Sequence, residues 1–434
     1  MLKRKIVNNL EEWHKDPLKK ALLLKGARQV GKTTTVREFA KNNYTYFVEI
    51  NFEKFPLAKQ AFDGNLDAET IISKLSLMGF GPFVEHQTLI FFDEIQTCPN
   101  ARTAIKFLVE NGRFDYIESG SLLGLHYADV SSYPVGFEYS VNMYPLDFEE
   151  FLWAKGVGNS VIESIKKTLC ARQPIDEFMH EQLSKYYREY LIVGGMPEVV
   201  NTYLQNVDFS KTLQVQRSII DSYRDDIAKY AGQEKARATL FFDAIPSELS
   251  KQKKRFIIAD IEQKATARKY ENAAQWLTDA GIAYFSYNTH DLLLPFEQYE
   301  NRSLYKVFLL DTGLLCSMWR EPIQWQVLNG EIDINEGALT ENYVAAELTK
   351  KGYPLHYYDR KSRQELDFLI VQNNKISIIE VKSGNDYRHH SSLDNALEKT
   401  NLSLGEAMVV CKFPMQKSGE IQYLPLYALG WIYV

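Results

Sequence analysis

Gly26-Ala27-Arg28-Gln29-Val30-Gly31-Lys32-Thr33 is a complete G-x-x-x-x-G-K-T motif, and it lies between a short apolar run and a helical pattern. Its two glycines allow the backbone to curl until several N–H groups point at phosphate oxygens, and the positive end of the following helix adds to the attraction. The motif therefore predicts a phosphate-binding loop, although a glycine-rich turn that binds nothing is the alternative.

The predicted loop assigns a role to each of its polar residues. Lys32 is expected to reach the β- and γ-phosphates, and the Thr33 hydroxyl is expected to ligate Mg²⁺. The full set of predicted nucleotide-binding residues is Gly26, Ala27, Arg28, Gln29, Val30, Gly31, Lys32, Thr33 and Thr34.

An acidic pair follows a second apolar run, Leu89–Phe92, which has the composition of a buried strand. Asp93 is placed to hold the metal, directly or through water. Glu94 is placed to polarise an attacking water, so hydrolysis is expected, with Glu94 and Lys32 as catalytic residues. The alternative is an acidic pair that only caps the next helix.

A third polar segment, Ser119-Gly120-Ser121, follows the predicted strand Asp115–Glu118. A hydroxyl at Ser119 or Ser121 is in a position to sense the γ-phosphate, and the sequence does not separate the two. The alternative is an ordinary loop, since Ser-Gly-Ser turns are common. Because no Asn-Lys-x-Asp stretch marks a guanine pocket, ATP is the favoured nucleotide.

The first 155 residues alternate strand-like and helical patterns, which predicts an α/β core with a parallel sheet. Beyond them, residues 156–235 are mostly helical and predict a lid or connector. Residues 236–330 then show three helical patterns followed by two strands, the order of a winged helix-turn-helix. Lys264, Arg268 and Lys269 lie at the start of its presumed recognition helix, although winged helices also act as protein–protein spacers.

Residues 331–434 predict a final α/β domain with an acidic constellation. Glu341 lies on a helix, while Asp367 and Glu380 fall on two strands that a short turn joins. Lys382 projects to the same face as Glu380, because side chains two apart on a strand share a face. This spacing resembles the PD-(D/E)xK nuclease pattern and suggests a second Mg²⁺. The fold also occurs as a binding module, and chance spacing is common.

Composition limits the classes of protein to consider. The 434 residues include 45% hydrophobic and 24% charged residues, as in folded proteins, and the formal net charge is −6. Nucleic-acid binding would therefore need a local patch, for which Arg360, Lys361, Arg363 and Lys382 are candidates. Four scattered cysteines, with no signal peptide or long apolar run, predict a cytoplasmic protein without membrane contact.

Five segments, GARQVGKTT, LIFFDEIQ, ESGS, YPLDFEEFL and GGMPE, occur in this order along the chain. With them, the sequence resembles a broad prokaryotic family of AAA-type ATPases that carry a C-terminal winged-helix plus nuclease-like domain of unassigned function. The resemblance implies nucleotide and metal roles for Lys32, Thr33, Asp93 and Glu94. It also implies that residues 144–152 form the exit from the ATPase core.

The sequence departs from that family at one point. Many relatives have a Gly-Arg pair before the Pro-Leu motif, whereas Phe137 follows Gly136 here. The arginine finger therefore has no assigned residue. Arg113 and Arg217 are candidates, although each is also a plausible surface ion-pair partner. An arginine from a neighbouring subunit would require an oligomer, which the sequence leaves open.

The sequence as a whole predicts a Mg·ATP-hydrolysing AAA-type ATPase coupled to a DNA-directed, nuclease-like C-terminal half. The alternative is a nucleotide-gated sensor or binding protein whose C-terminal domain recognises a partner without cleaving nucleic acid.

Overall fold

The computed structural model describes residues 2–121, 134–251, 254–263, 265–319, 324–329, 334–360, 364–398 and 404–432. Two compact units make up the chain. One comprises Lys3–Tyr144 with Asp279–Gly281, and the other comprises Pro145–Thr278 and Ile282–Val434 together with the first two residues.

The first unit is built on a parallel sheet with strand order β2-β3-β4-β1-β5. The predicted α/β fold with a parallel sheet is thereby confirmed. Helices and strands alternate in the order α1 (Ile6–Lys15), β1 (Ala21–Lys25), α2 (Lys32–Asn43), β2 (Tyr46–Asn51), α3 (Ala68–Leu77), β3 (Thr88–Asp93), α4 (Pro99–Asn111), β4 (Asp115–Gly120) and β5 (Glu138–Asn142).

The core of this unit explains why the strand sequences are so apolar. Strand β3 is buried along its whole length, and it pairs with β2 on one side and β4 on the other. Phe52, Phe62, Phe92 and Tyr116 form one aromatic cluster with ring centroids 5.6–6.1 Å apart. Aromatic packing therefore fills the core on one face of β3 and β4.

The second unit begins with a series of helices: α5 (Phe148–Ala154), α6 (Asn159–Cys170), α7 (Glu177–Val193), α8 (Pro197–Asn206), α9 (Phe209–Tyr230) and α10 (Lys235–Leu249). Helix α5 starts with a capping box, in which the Asp147 side chain accepts from the Glu150 backbone and the Glu150 side chain accepts from the Asp147 backbone. The DFEE sequence at 147–150 therefore sets where this helical region begins.

The Gly194-Gly195 break between α7 and α8 is a point of close backbone approach. The Leu146 amide donates to the Gly195 carbonyl at 2.7 Å, and the Gly195 amide donates to Asp311 Oδ2 at 2.6 Å. A Cβ atom on Gly195 would lie 2.0 Å from the Leu146 carbonyl oxygen. Glycine is therefore required here by space, and the YPLDFEEFL and GGMPE segments meet at this contact.

The remaining elements follow in the order α11 (Ile258–Ile261), α12 (Ala267–Asp279), β6 (Ala283–Thr289), β7 (Glu300–Leu309), α13 (Thr312–Met318), α14 (Gln324–Asn329), α15 (Ile334–Lys350), β8 (His356–Asp359), β9 (Glu365–Gln372), β10 (Lys375–Lys382), α16 (Ser391–Leu397), β11 (Leu404–Cys411), β12 (Gln416–Ser418), β13 (Ile421–Pro425) and α17 (Leu429–Ile432). The strands form one sheet with order β12-β13-β11-β10-β9-β8-β6-β7.

This sheet crosses the boundary expected at residue 330. Strands β6 and β7, which the sequence places in a winged helix-turn-helix, pair as an antiparallel hairpin. Strand β6 also pairs in parallel with β8, so the hairpin extends the C-terminal sheet. Side-chain periodicity reveals strands but not their partners, which is why the sequence did not indicate this continuity.

No helix in the described ranges is both long enough and apolar enough to span a bilayer.

Candidate functional site

The loop between β1 and α2 is curled by three residues in left-handed backbone conformations. Gly26, Gln29 and Gly31 have φ values of 153°, 67° and 98°. A Cβ atom on Gly26 would lie 2.2 Å from the Met143 carbonyl oxygen, so only glycine fits at the start of the loop. Left-handed residues of this kind let a loop curl so that its amides can point at phosphate oxygens.

Lys32 lies inside this loop. Its Nζ donates to the carbonyl oxygens of Gly26 at 2.8 Å and Ala27 at 2.9 Å, and the side chain is buried. Burial lowers the pKa of Lys32 to about 8, although Glu94 and Asp93 act in the opposite direction. The ammonium group is thus held by backbone carbonyls that phosphate oxygens can replace.

Arg4 supports the loop from the N-terminal segment, a contact the sequence did not indicate. Its guanidinium is buried and donates to the Val30 carbonyl at 2.9 Å and the Tyr144 carbonyl at 2.6 Å. Arg4 therefore ties the loop to the end of the β5 segment. Without a motif around Arg4, no sequence signal could have identified this role.

Asp93 ends strand β3 and is the centre of a polar network. Thr33 Oγ1 donates to Asp93 Oδ2 at 3.0 Å, and Asn51 Nδ2 donates to the same oxygen at 2.8 Å. Ser119 Oγ donates to the other oxygen, Oδ1. These residues meet because Thr33 starts α2, whereas Asn51, Asp93 and Ser119 lie at the carboxyl ends of three adjacent parallel strands.

Asn51 is the member of this network that sequence reasoning missed. It ends β2 and pairs in register with Asp93. An asparagine at the end of a predicted strand was the available signal.

Glu94 has partners of its own. Its backbone is left-handed, with φ 54° and ψ 45°, unlike that of Asp93 in the strand. Gln96 Nε2 donates to Glu94 Oε2 at 2.6 Å, and Ser121 Oγ donates to the same oxygen at 3.3 Å. The structure thus separates the two serines, since Ser119 contacts Asp93 and Ser121 contacts Glu94. An αL backbone at a non-glycine residue is strained, and such strain is concentrated at functional sites.

The donor set beside the loop suits a magnesium ion. A threonine hydroxyl and a carboxylate oxygen lie 3.0 Å apart, and the Ser119 hydroxyl contacts the other oxygen of the same carboxylate. Mg²⁺ prefers oxygen ligands and commonly combines one or two protein groups with phosphate oxygens and water. Thr33 and Asp93 are therefore the residues able to hold it.

The two candidate arginine fingers have different surroundings. Arg113 forms ion pairs with Glu69 at 3.0 Å and Glu85 at 3.5 Å. Arg217 is exposed on helix α9. The contacts of Arg113 match the surface ion-pair alternative.

The C-terminal acidic residues lie on the elements that the sequence predicted. Glu341 is on α15, Asp367 on β9 and Glu380 on β10, and the register that pairs Ile379 with Phe368 places Glu380 beside Asp367. Lys382 Nζ lies 3.5 Å from Glu380 Oε1, so this pair does share a face. Burial, followed by the Asp367 charge, raises the pKa of Glu380 to about 8.

A buried lysine, Lys306 of β7, lies among these carboxylates. Its Nζ is 2.9 Å from Glu365 Oε1, 3.5 Å from Asp367 Oδ1 and 3.7 Å from Glu341 Oε2. Lys254 forms a second ion pair with Glu341. Burial alone would lower the pKa of Lys306, but the carboxylates hold it well above its ordinary value. Over the described ranges, no group of three or more Asp, Glu, His or Cys side chains is arranged to hold a metal ion.

Some of the candidate DNA-facing cations lie within the described residues. Arg268 and Lys269 are exposed on α12, and Lys269 forms an ion pair with Glu262. Arg360 is exposed at the end of β8. Lys264, Lys361 and Arg363 lie outside the described residues.

Comparison with known proteins adds a family match for part of the chain. Residues 18–152 match a family model described as an AAA domain. Residues 184–324 and 336–429 match two models that are each described as a domain of unknown function.

Whole-chain similarities are weaker. An uncharacterized protein of Haemophilus influenzae is 21% identical over 387 residues, which cover 83% of this chain and 81% of the relative. The Aeropyrum pernix ORC1 protein, solved in complex with DNA, has a TM-score of 0.29 and 12% identity, with coverage of 75% of this chain and 92% of that one. Cdc6p of Pyrobaculum aerophilum has a TM-score of 0.23 and 12% identity, covering 77% and 97%. Over residues 18–152, the match to the AAA-domain model agrees with the curled loop and the parallel sheet of the first unit.

Proposed function

We propose that the chain binds Mg·ATP at the 26–34 loop and hydrolyses it. The observation that carries the proposal is the meeting of Thr33, Asp93 and Glu94 beside the loop: the Thr33 hydroxyl is 3.0 Å from Asp93, and Glu94 follows with separate partners. This arrangement supplies the parts that phosphoryl transfer to water needs, namely an ammonium group, a pair of oxygens that can hold the metal and a second carboxylate oriented by other partners.

Each residue has a defined part in the proposed reaction. Phosphate oxygens replace the Gly26 and Ala27 carbonyls as acceptors for Lys32, which then balances charge on the β- and γ-phosphates. Mg²⁺ held by Thr33 and Asp93 would neutralise developing charge on the triphosphate. Glu94 accepts the proton of the attacking water, while Gln96 and Ser121 fix the orientation of its carboxylate.

The experiment that tests hydrolysis compares phosphate release and nucleotide binding in Glu94→Gln. We expect phosphate release to slow, because Glu94→Gln should lose about 2–5 kcal/mol of transition-state stabilisation and about 1.4 kcal/mol corresponds to a factor of ten in rate. ATP should still bind. Lys32→Ala should lose both properties. Glu110→Gln, which changes an exposed carboxylate of α4, is the control. Unchanged release in Glu94→Gln would remove Glu94 from its role.

We further propose that the C-terminal half acts on DNA. The proposed boundaries remain 1–155 for the ATPase core, 156–235 for the helical connector, 236–330 for the winged helix-turn-helix and 331–434 for the nuclease-like domain. The helices and hairpin between 235 and 309 follow the expected order, and exposed Arg268 on α12 supports phosphate contact. The salt dependence of DNA affinity tests this proposal, and Arg268→Gln should reduce the slope by about one.

The alternative proposal is a nucleotide-gated binding protein that cleaves nothing. Lys306 favours it, because an ammonium group already lies where a catalytic Mg²⁺ would have to contact Glu341 and Asp367. The nuclease-like hypothesis would be supported if the parent chain nicks DNA in a Mg²⁺-dependent manner and Lys382→Ala does not. Its proposed site consists of Glu341, Asp367, Glu380 and Lys382. DNA binding without nicking would support the alternative.

A further inference from the structure

A cavity in the second unit lies apart from the sites described above. It has a volume of about 570 Å³ and lies between helix α7 and the segments that follow strands β11 and β13. Pockets of roughly 300–1,000 Å³ hold small-molecule ligands, and a single nucleotide is within that range. The cavity is therefore large enough for a ligand of this size.

Cations dominate the polar lining of the cavity. Lys185 and Arg188 project from α7 and Lys412 follows β11, whereas Glu181 is the lining carboxylate. Across the part of the chain that the structure describes, none of these three cations forms an ion pair. In contrast, Glu189 of α7 forms an ion pair with Lys155 at 2.8 Å. The excess of positive charge favours an anionic ligand.

Arg188 gives a second and independent indication of a ligand. Its Nε is buried and, among the described residues, has no hydrogen-bond partner. Buried donors are almost always satisfied, and a guanidinium is well shaped to bind phosphate or carboxylate oxygens in pairs. Because protein atoms enclose Nε, a phosphate in the cavity would bind to the terminal nitrogens of this guanidinium.

The other walls of the cavity are aromatic. Phe413 is half-buried and stacks on Tyr387 with ring centroids 4.1 Å apart. Tyr427 is held by His180, whose Nδ1 lies 2.8 Å from the Tyr427 hydroxyl. Burial lowers the pKa of His180, so its ring is neutral at pH 7 and adds no charge to the cavity. Aromatic side chains beside cations are the combination that binds a base together with its phosphate.

We propose that this cavity binds a nucleotide unit, with Lys185, Arg188 and Lys412 on the phosphate and Phe413 against the base. The unit is either a free mononucleotide or the 5′-terminal nucleotide of a single strand. This site is separate from the 26–34 loop and does not depend on ATP hydrolysis.

Binding is tested with the full chain carrying Lys32→Ala, so that the 26–34 loop does not contribute. The probes are dTMP, inorganic phosphate, and oligothymidylate with or without a 5′-phosphate, and calorimetry gives the affinity. We expect dTMP to bind at one site, and Arg188→Gln and Lys412→Gln each to weaken it about tenfold, the effect of losing one charge-assisted hydrogen bond. Lys417→Gln removes an exposed lysine of β12 outside the cavity and should bind dTMP like the parent.

The source of the nucleotide is read from the oligomers. A 5′-phosphorylated oligomer that binds more tightly than dTMP in an Arg188-dependent manner identifies the end of a strand, whereas equal affinity identifies the free nucleotide. The assignment is overturned if dTMP does not bind, or if Arg188→Gln and Lys412→Gln bind dTMP like the control. It is also overturned if inorganic phosphate binds as tightly as dTMP and Phe413→Leu does not change the affinity for dTMP. Lys412 is exposed, so its variant keeps the test valid should Arg188→Gln fold poorly. Loss of phosphate release in Glu94→Gln is a separate outcome and leaves this proposal unaffected.

Discussion

Lys32 shows how burial of one residue couples ligand binding to protons. Its pKa of about 8 without ligand means that the ammonium is partly deprotonated just above neutral pH. Triphosphate favours the charged form and raises that pKa, so binding takes up protons where the free lysine has lost them. Burial, which the loop imposes, thus makes nucleotide affinity depend on pH.

We expect proton uptake on ATP binding to be close to zero at pH 6.5 and about half a proton near pH 8, with affinity falling as the pH rises further. Below the lowered pKa, Lys32 is charged both with and without ligand, so no proton is exchanged. Calorimetry in buffers of different ionisation enthalpy measures the uptake. The same proton number at both pH values would contradict this account.

Lys306 shows the opposite case, a buried lysine that carboxylates keep charged. Lys306→Met leaves Glu341, Glu365 and Asp367 without their shared cation, and we expect the free energy of unfolding to fall by about 3–5 kcal/mol. Mn²⁺ or Mg²⁺ should restore part of this loss, because a divalent cation replaces the ammonium. Thermal unfolding with and without metal measures both effects.

The control for that experiment is Arg302→Gln. Arg302 lies on the same strand and pairs with Glu300, but its side chain is 82% exposed. We expect it to change the free energy of unfolding by less than about 1 kcal/mol, without any response to metal. If Mn²⁺ or Mg²⁺ stabilises the parent against thermal unfolding as much as it stabilises Lys306→Met, Lys306 does not exclude the metal ion.

At the scale of elements, one buried arginine connects α4 to two strands that are not neighbours. Arg102 of α4 contacts Glu118 of β4 at 2.6 Å and also Glu138 of β5, and β1 lies between those strands. Burial raises the pKa of Glu118 to about 7, although Arg102 opposes this shift. The triad therefore ties α4 to both strands, and Glu118 is the residue before Ser119.

We expect Arg102→Leu to lower the free energy of unfolding at pH 8 by about 3–5 kcal/mol, because Glu118 is left buried and unpaired. The loss should be smaller at pH 5. The pKa of Glu118 is higher in the folded state than in the unfolded state, so folding favours its protonated form at low pH, and this stabilisation is lost as the pH rises through about 7. At pH 5 Glu118 is therefore neutral and needs Arg102 less. Denaturant unfolding at the two pH values measures the difference.

Arg37→Gln is the matched control for Arg102→Leu. Arg37 forms a bidentate pair with Glu49 in the same unit, but its side chain is 56% exposed. Its removal should cost less than about 1 kcal/mol at either pH. If Arg37→Gln and Arg102→Leu lower the free energy of unfolding equally, burial of the Arg102 triad does not account for its contribution to stability.

At the scale of the molecule, the Gly194-Gly195 break joins segments that are far apart in sequence. Gly195 contacts Leu146 and Asp311, and Asp311 also caps α13 by accepting from the Leu314 amide at 2.9 Å. Three parts of the second unit therefore meet at one glycine.

We expect Gly195→Ala to lower the free energy of unfolding by at least about 3 kcal/mol, since its Cβ would overlap the Leu146 backbone. Gly158→Ala is the control, because that position has open space around it and an ordinary backbone φ of −66°. It should leave the stability unchanged within about 0.5 kcal/mol. Thermal unfolding compares them, and similar melting temperatures would contradict the proposed requirement for space.

Local chemistry explains which features the sequence alone determined. The loop at 26–33 and the strands before Asp93 and Ser119 were predictable, because glycine positions, apolar runs and side-chain periodicity act over a few residues. Parallel strands also carry their carboxyl ends to one edge, so the meeting of Thr33 with Asp93 follows from the fold class.

Contacts between distant segments were decided only by the tertiary structure. Arg4 at the loop, Lys306 among the C-terminal carboxylates and the pairing of β6 with β8 join residues 26 to more than 60 positions apart. Their side chains carry no local signature of the partner, since an arginine or lysine has the same sequence pattern whether it is solvated or buried against a carboxylate. Burial within a shared core selects those partners, and it exists only once the chain has folded.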